Sequence, residues 1–98
     1  MMLLYEKKLS SLSEIGRELS ILDLDAGIRA IGKYKSRKCF VFVTRSPNGF
    51  TSLVYSTKTN KKEILPDKRL LAKEFPDAKA TEEFLAQIVA KPVKALAY

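Results

Sequence analysis

The segment KCFVFVTRSPNGFTSLVYST (residues 38–57) predicts a β-hairpin. Its two halves, residues 38–45 and 50–57, are rich in the β-branched and aromatic side chains that favour strands. Between them, SPNG (residues 46–49) is typical of a tight turn, because proline presets φ and Asn-Gly tolerates a positive φ. The register is left open by the sequence. We expect one side of the hairpin to carry the alternating residues Phe40, Phe42, Phe50, Ser52 and Val54.

Two further elements are predicted before this hairpin. Residues 28–35 (IRAIGKYK) form a third strand if their alternation is read with a period of two, which places Arg29, Lys33 and Lys35 on one face. A short helix over residues 26–31, capped by Asp25, is the alternative. Further upstream, a capping box (Ser11 with Glu14) and a helical apolar spacing predict a helix over residues 11–22.

Helices are also predicted after the hairpin. Residues 59–62 (TNKK) indicate a loop, and residues 67–75 (DKRLLAKEF) have a helical spacing that Pro76 ends. A final helix is expected from the cap Asp77 to about residue 90. The predicted fold class is therefore a small single α+β domain of order α-β-β-β-α. It has a three-stranded antiparallel sheet with the helices on one face, and residues 1–10 and 91–98 are loosely held.

The residue types present exclude several kinds of catalytic site. The chain has no histidine and one cysteine, so it lacks an imidazole base, a Ser-His or Cys-His pair and a thiolate metal cage. Cys39 lies in an apolar run and is expected to be a buried thiol. Asp23 and Asp25, the close carboxylate pair, are interpreted as turn or cap residues. We therefore expect no enzyme activity, no cofactor and no metal site.

The termini carry no targeting signal that we can identify. Five apolar residues precede Glu6, which is shorter than the apolar stretch of a secretory signal. The longest apolar run, residues 39–43, is far too short to span a membrane. We expect a soluble cytoplasmic protein in a reducing compartment, with no membrane partner and no small-molecule substrate.

The positive charge is concentrated in the middle of the chain. The formal net charge is +7, and no Asp or Glu lies between Asp25 and Glu63. That window holds nine cations, whereas the rest of the chain carries nine cations and eleven carboxylates. Such asymmetry indicates a surface for a polyanion, since lysine and arginine neutralise phosphates and release counterions.

Aromatic residues are interleaved with these cations, and an exposed Tyr34 or Phe50 could stack on an unpaired base. The candidate nucleic-acid-binding residues are Arg29, Lys33, Tyr34, Lys35, Arg37, Lys38, Arg45, Lys58, Lys61 and Lys62.

Residues 17–64 resemble the nine-kilodalton Alu-domain subunit of the signal recognition particle. The matching stretches are REL to Asp25 (residues 17–25), IRAIGKYK (28–35), FVFVT (40–44), LVYST (53–57) and KKEI (61–64). The resemblance implies RNA contacts at Lys33 and Lys35, and places Lys58 near a basic position of the family's third strand. Phe42 stands where the family has a lysine, and Pro66 and Pro76 interrupt what the family keeps as one helix.

Two function classes follow from these observations. The first, which we prefer, is a small basic nucleic-acid-binding protein, a subunit of a ribonucleoprotein, using a cationic sheet surface. RNA is the expected partner and DNA the alternative. The second is a non-enzymatic protein-interaction subunit or small viral-type inhibitor that binds an acidic protein surface. A homodimer is compatible with either, because so short a chain has a modest core.

Overall fold

The computed structural model describes residues 7–98, and antiparallel strands make up most of them. The elements in chain order are β1 (Lys7–Leu9), α1 (Leu12–Ile21), β2 (Gly27–Tyr34), β3 (Arg37–Ser46), β4 (Gly49–Asn60), β5 (Glu63–Phe75), α2 (Ala78–Ile88) and β6 (Ala95–Ala97). One six-stranded sheet has the order β1-β6-β2-β3-β4-β5.

Strands β2 to β5 form a meander in which each strand pairs with the next along the chain. The last strand then returns across the molecule and inserts between β1 and β2. There Ala97 pairs with both Lys7 and Ile28. The two ends of the described chain therefore meet at one side of the sheet, and β5 lies at the other.

A two-residue turn at Pro47-Asn48 sets the register of the central hairpin. Ser46 pairs with Gly49, so each even-numbered residue of β3 faces an odd-numbered residue of β4. Val41 pairs with Val54, and Phe42 pairs with Leu53. The expectation that Phe40 and Phe42 share a side with Phe50, Ser52 and Val54 was therefore wrong, because directly opposed residues of an antiparallel pair point to the same face.

Both helices cover the same face of the sheet. Ile15 and Leu19 of α1 and Leu85 and Ile88 of α2 are buried against the strands. We call this side the core face; its strand residues include Ile28, Ala30, Cys39, Val41, Val43 and Val54. The opposite side, the open face, carries the residues that alternate with them, including Arg29, Ile31, Phe40, Phe42, Leu53 and Tyr55.

The structure confirms the two helix N-caps that the sequence predicts, Ser11 for α1 and Asp77 for α2. The side chain of Ser11 accepts a hydrogen bond from the Glu14 backbone N–H at 3.1 Å, while the Glu14 carboxylate accepts one from Ser10. Asp77 accepts from the Ala80 backbone N–H at 2.8 Å. These bonds satisfy N–H groups that a helix cannot satisfy internally, so each helix begins where its cap predicts.

The predicted three-stranded sheet and α-β-β-β-α order were wrong, because the sheet has six strands: residues 67–75 belong to a strand instead of a helix, and residues 7–9 and 95–97 add two more. Residues 67–75 lie in β5, whose Leu71 and Phe75 pair with Val54 and Phe50 of β4. Pairing along the whole of β4 outweighs the local helical spacing. Pro66 fits here because β5 is an edge strand, where a missing N–H leaves no neighbour unsatisfied. The segment that the resemblance places near a second helix, residues 61–64, is likewise the β4–β5 turn and the start of β5.

Three other expectations also differ from the structure. Residues 28–34 lie in a strand, so the alternative helix over residues 26–31 is absent. The predicted loop at residues 59–62 shortens to Lys61-Lys62 because β4 continues to Asn60. Of the tails expected to be loosely held, residues 7–9 and 95–97 form β1 and β6, and residues 1–6 lie outside the described residues.

Gly32 is the position where the packing of α2 on the sheet leaves no room for a side chain. A Cβ there would lie 2.7 Å from the Ile88 carbonyl oxygen and 2.9 Å from Val41 Cγ2. We expect Gly32→Ala to lower the free energy of unfolding by about 1–3 kcal/mol, the usual effect of overpacking. Urea unfolding followed by circular dichroism measures it.

Gly16→Ala is the matched control for this substitution. The atoms that its Cβ would approach belong to the end of the Glu82 side chain, which can move away, and alanine favours a helix over glycine by about 1 kcal/mol. We expect this variant to be neutral or stabilised. An equal destabilisation of both variants would contradict the close packing at Gly32.

Candidate nucleic-acid interface

Most cations of the acid-free window lie in or beside the two turns at one end of the β2–β5 meander. Because β2 to β5 form a meander, the β2–β3 and β4–β5 turns lie at the same end. Seven of the ten predicted site residues lie in these turns or the adjoining strand ends, and all are exposed: Lys33, Lys35, Arg37, Lys38, Lys58, Lys61 and Lys62. We call this surface the basic end. In the described part of the chain, none of the seven forms an ion pair.

Several of these cations lie at positions that destabilise the folded protein, either through a positive φ or through repulsion by a facing lysine. Lys35 and Ser36 form the β2–β3 turn with φ values of 51° and 67°, and Lys61 in the β4–β5 turn has a φ of 59°. Glycine or asparagine is usual at such positions, because a left-handed conformation costs other residues roughly 1–2 kcal/mol. Lys33 also lies directly opposite Lys38, and like charges paired across strands are destabilising.

A hollow of about 540 Å³ lies beside the β2–β3 turn. We call it the basic hollow; its lining is Tyr34, Lys35, Arg37, Lys38, Ser56, Thr57 and Leu70. No carboxylate is among these residues. Ser56 Oγ accepts a hydrogen bond from the Lys68 backbone N–H at 3.0 Å, which leaves its own O–H available as a donor. Cations and hydroxyl donors around one concavity suit the oxygens of a phosphate group.

Three aromatic rings occupy the open face next to the basic end. Phe42 lies edge-on to Tyr55 with ring centroids 5.6 Å apart, and Phe40 lies 6.2 Å from Phe42. Along β2 and β3, the Lys33–Lys38 pair is followed by Ile31–Phe40 and then by Arg29–Phe42. The open face therefore changes from cationic at the basic end to aromatic at its centre.

The far part of the β4–β5 hairpin bends over this open face. Register shifts on either side of Tyr55 interrupt the β4–β5 ladder, and such bulges bend a strand pair. As a result, Ile64, Leu65 and Pro66 of β5 line the same cleft as Phe40 and Phe42 of β3. We call this space the open-face cleft. It has a volume of about 860 Å³, and its other lining residues are Lys8, Leu9, Ser10, Arg29, Ala30, Ile31, Val93, Lys94, Ala95 and Leu96.

The other three predicted site residues are less exposed than the seven cations, and of these three only Tyr34 lines the basic hollow. Arg45 is on the core face, where its guanidinium lies 5.2 Å from the centre of the Phe50 ring and donates to the Leu22 carbonyl at 3.3 Å. Tyr34 packs partly against the core, with Lys35 Nζ 5.5 Å from its ring centre. Arg29 is half-buried in the open-face cleft.

Several residues of this region were missed by sequence reasoning. Lys8 and Lys94 reach the open-face cleft because β6 inserts between β1 and β2, an arrangement for which the sequence carries no local signal. Ser56 and Ile64 are brought to the basic hollow and the open-face cleft by the β4–β5 pairing. Once β5 is recognised as a strand, the period-two alternation along β4 and β5 indicates which faces Ser56 and Ile64 occupy.

Comparison with known proteins gives no relative: no family model, curated protein or solved structure matches this chain. The resemblance to the signal recognition particle subunit therefore stays a prediction. Among residues 7–98, neither helix has the length and apolar character needed to cross a membrane.

Cys39 lies beneath α2 on the core face and is fully buried. Burial raises the pKa of the Cys39 thiol, and its hydrogen bond with the Gly32 backbone offsets only part of that effect. We expect a thiol reagent such as Ellman's reagent to leave Cys39 unmodified in the folded protein and to modify it at once in denaturant. Rapid modification without denaturant would contradict the packing of α2 over this strand.

The same pKa shift makes stability depend on pH. The fold favours the protonated form of the thiol, and this preference contributes to the free energy of unfolding. The contribution is fully present below the pKa of cysteine in the unfolded chain, and it is lost as the pH rises through the raised pKa of Cys39 in the folded protein. Unfolding titrations of Cys39→Ala and wild type across the alkaline range check this, since the alanine variant lacks that part of the decline.

Proposed function

We propose that this protein binds nucleic acid, RNA in preference to DNA, through the basic end and the adjoining open face. The observation that carries the proposal is that Lys35, Arg37 and Lys38 line one hollow beside the β2–β3 turn, while further exposed cations occupy the end of the β4–β5 hairpin. Each lysine or arginine that neutralises a phosphate releases counterions, which supplies most of the affinity for a polyanion.

The unfavourable placement of these cations supports a partner of opposite charge. Lys35 and Lys61 have positive φ, and Lys33 faces Lys38 across the strand pair. Each arrangement destabilises the free protein somewhat, and a bound phosphate backbone relieves the repulsion between the two facing lysines. A surface that is merely solvated gains nothing from keeping lysine at these positions.

The neighbouring aromatic residues support RNA with unpaired bases as the ligand. Sequence-specific recognition of RNA mostly uses loops, bulges and ends, whose bases can stack on aromatic side chains. Phe40, Phe42 and Tyr55 lie on the open face within a few residues of the basic end. We propose a binding role without catalysis, in the cytoplasm, where a buried unpaired thiol such as Cys39 is usual.

Removing two of the three positive charges that line the basic hollow tests this proposal. We expect Lys35→Gln with Arg37→Gln to weaken binding of a stem-loop RNA at low salt. The slope of log affinity against log salt should fall by roughly 0.7–0.9 for each phosphate that is no longer neutralised, or about 1.5 for the pair. Fluorescence anisotropy with labelled RNA, and with duplex DNA of equal length, measures both quantities.

Arg17→Gln with Lys79→Gln is the matched control. Both residues are exposed on helices that cover the core face, and this pair removes the same net charge. The control should keep the wild-type slope. Equal weakening in the two double variants would mean that net charge alone attracts RNA, and the absence of RNA affinity at low salt would overturn the proposed function.

A further inference from the structure

We infer that the open-face cleft is a subsite for unpaired nucleotides, in which a base lies between the β3 aromatic residues and the end of the β4–β5 hairpin. This inference rests on the proposed function and specifies it: the preferred ligand is single-stranded RNA rather than duplex. The cleft is distinct from the basic hollow, whose cations and hydroxyl groups suit a phosphate group.

The two walls of the cleft supply apolar surface on both sides of a flat ligand. Phe40 and Phe42 form part of the sheet side, and Ile64 and Pro66 form part of the hairpin side. Ile64 stays 40% exposed although it lines the cleft, so its apolar surface is incompletely covered in the free protein. A base has two apolar faces and polar edges, and it would cover this surface without needing a fully enclosed pocket.

The volume of the cleft fits a ligand of nucleotide size. At about 860 Å³ it falls within the range of small-molecule sites, which is roughly 300–1,000 Å³. A single inserted side chain from a protein partner would leave most of this space unfilled. A base with its sugar, or two neighbouring bases, would use it.

The charge of the lining selects an anionic ligand over a neutral apolar one. Two exposed lysines, Lys8 and Lys94, line the cleft, and no carboxylate from residues 7–98 lines it. Lys8 and Lys94 are exposed, so they can reach phosphates outside the cleft while a base occupies its interior. A fatty acid presents one carboxylate, whereas consecutive nucleotides present one phosphate each, which better matches several cations.

The position of the cleft also links it to the basic end. Arg29 in the cleft lies four positions along β2 from Lys33 at the basic end, a rise of roughly 13 Å. A short single strand can follow this path, with phosphates at the lysines and a base in the cleft. A rigid duplex cannot insert a paired base beneath the hairpin.

Two substitutions in the cleft test the inference. Phe42→Leu removes the ring but keeps an apolar side chain, and Ile64→Ser changes a side chain that is 40% exposed on the hairpin side of the cleft. We expect Phe42→Leu to weaken binding of a labelled single-stranded RNA about tenfold, the effect of removing one base-stacking interaction. Ile64→Ser should weaken it several-fold. Binding of duplex RNA of equal length and the salt slope should stay unchanged in both.

Ile21→Ser is the matched control, because Ile21 is 64% exposed at the end of α1, away from the cleft. It should bind both RNAs as wild type does. Thermal unfolding of every variant separates weaker RNA stacking from unfolding of the protein, and Ile64→Ser keeps the test decisive if Phe42→Leu is unstable.

The outcomes distinguish this inference from the proposed function. If wild type binds single strand and duplex equally, or if both cleft variants bind single strand within twofold of wild type, the inference is overturned while the basic end can still bind RNA. If no RNA binds at low salt, both fall. Dodecanoate serves as a second probe: if it binds in the cleft without competing with single-stranded RNA, the occupant is an amphipathic carboxylate and the inference is again overturned.

Discussion

The two-residue turn at Pro47-Asn48 determines which side chains each face of the sheet presents. It pairs Ser46 with Gly49, and every later pair of the β3–β4 ladder follows from that one. A slip of one residue would move a strand's whole apolar set to the opposite face. With the observed register, Val41 and Val43 meet the helices, while Phe40 and Phe42 lie on the face that α1 and α2 do not cover. The apolar core and the candidate interface are therefore two results of a single turn.

The β4–β5 hairpin then gives the open face its shape. Its bulges beside Tyr55 bend it, so that Ile64 and Pro66 stand opposite the β3 aromatics instead of extending the sheet into solvent. The bend partly covers Phe40, which is 9% exposed, and leaves Phe42 and Tyr55 more accessible. A domain this small buries a limited amount of apolar surface on folding, so each buried apolar area matters for its stability. Covering this face with a hairpin end instead of a helix buries some of that surface and still keeps a cleft.

Local signals predicted the parts of this fold that depend on neighbours in sequence. The caps at Ser11 and Asp77 and the hairpin over residues 38–57 each combine turn or cap chemistry with a matching periodicity, and each is present. Strand β5 could not be predicted in this way, because its spacing is helical and β4 decides its conformation. Strand β6 is three residues long and pairs with partners at the other end of the chain, so no local pattern marks it. For the candidate site, charge patterning identified the segment that carries most of the exposed cations but not which of them lie together. Arg45 could have been separated from the others, since it follows Val41 and Val43 at alternate positions and so belongs to the core face.

The free protein carries several unfavourable local arrangements at the basic end. Two lysines with positive φ and a facing lysine pair all lie there, while the opposite end of the hairpin uses Pro47, Asn48 and Gly49, residues suited to a turn. The chain therefore has suitable turn chemistry available and does not use it where its charge is concentrated. Repulsion between lysines is a cost only until a polyanion neutralises them, and any ligand that binds the folded state alone stabilises it by mass action. Under the proposed function, the same residues that weaken the isolated fold would supply binding free energy when phosphates occupy the basic end.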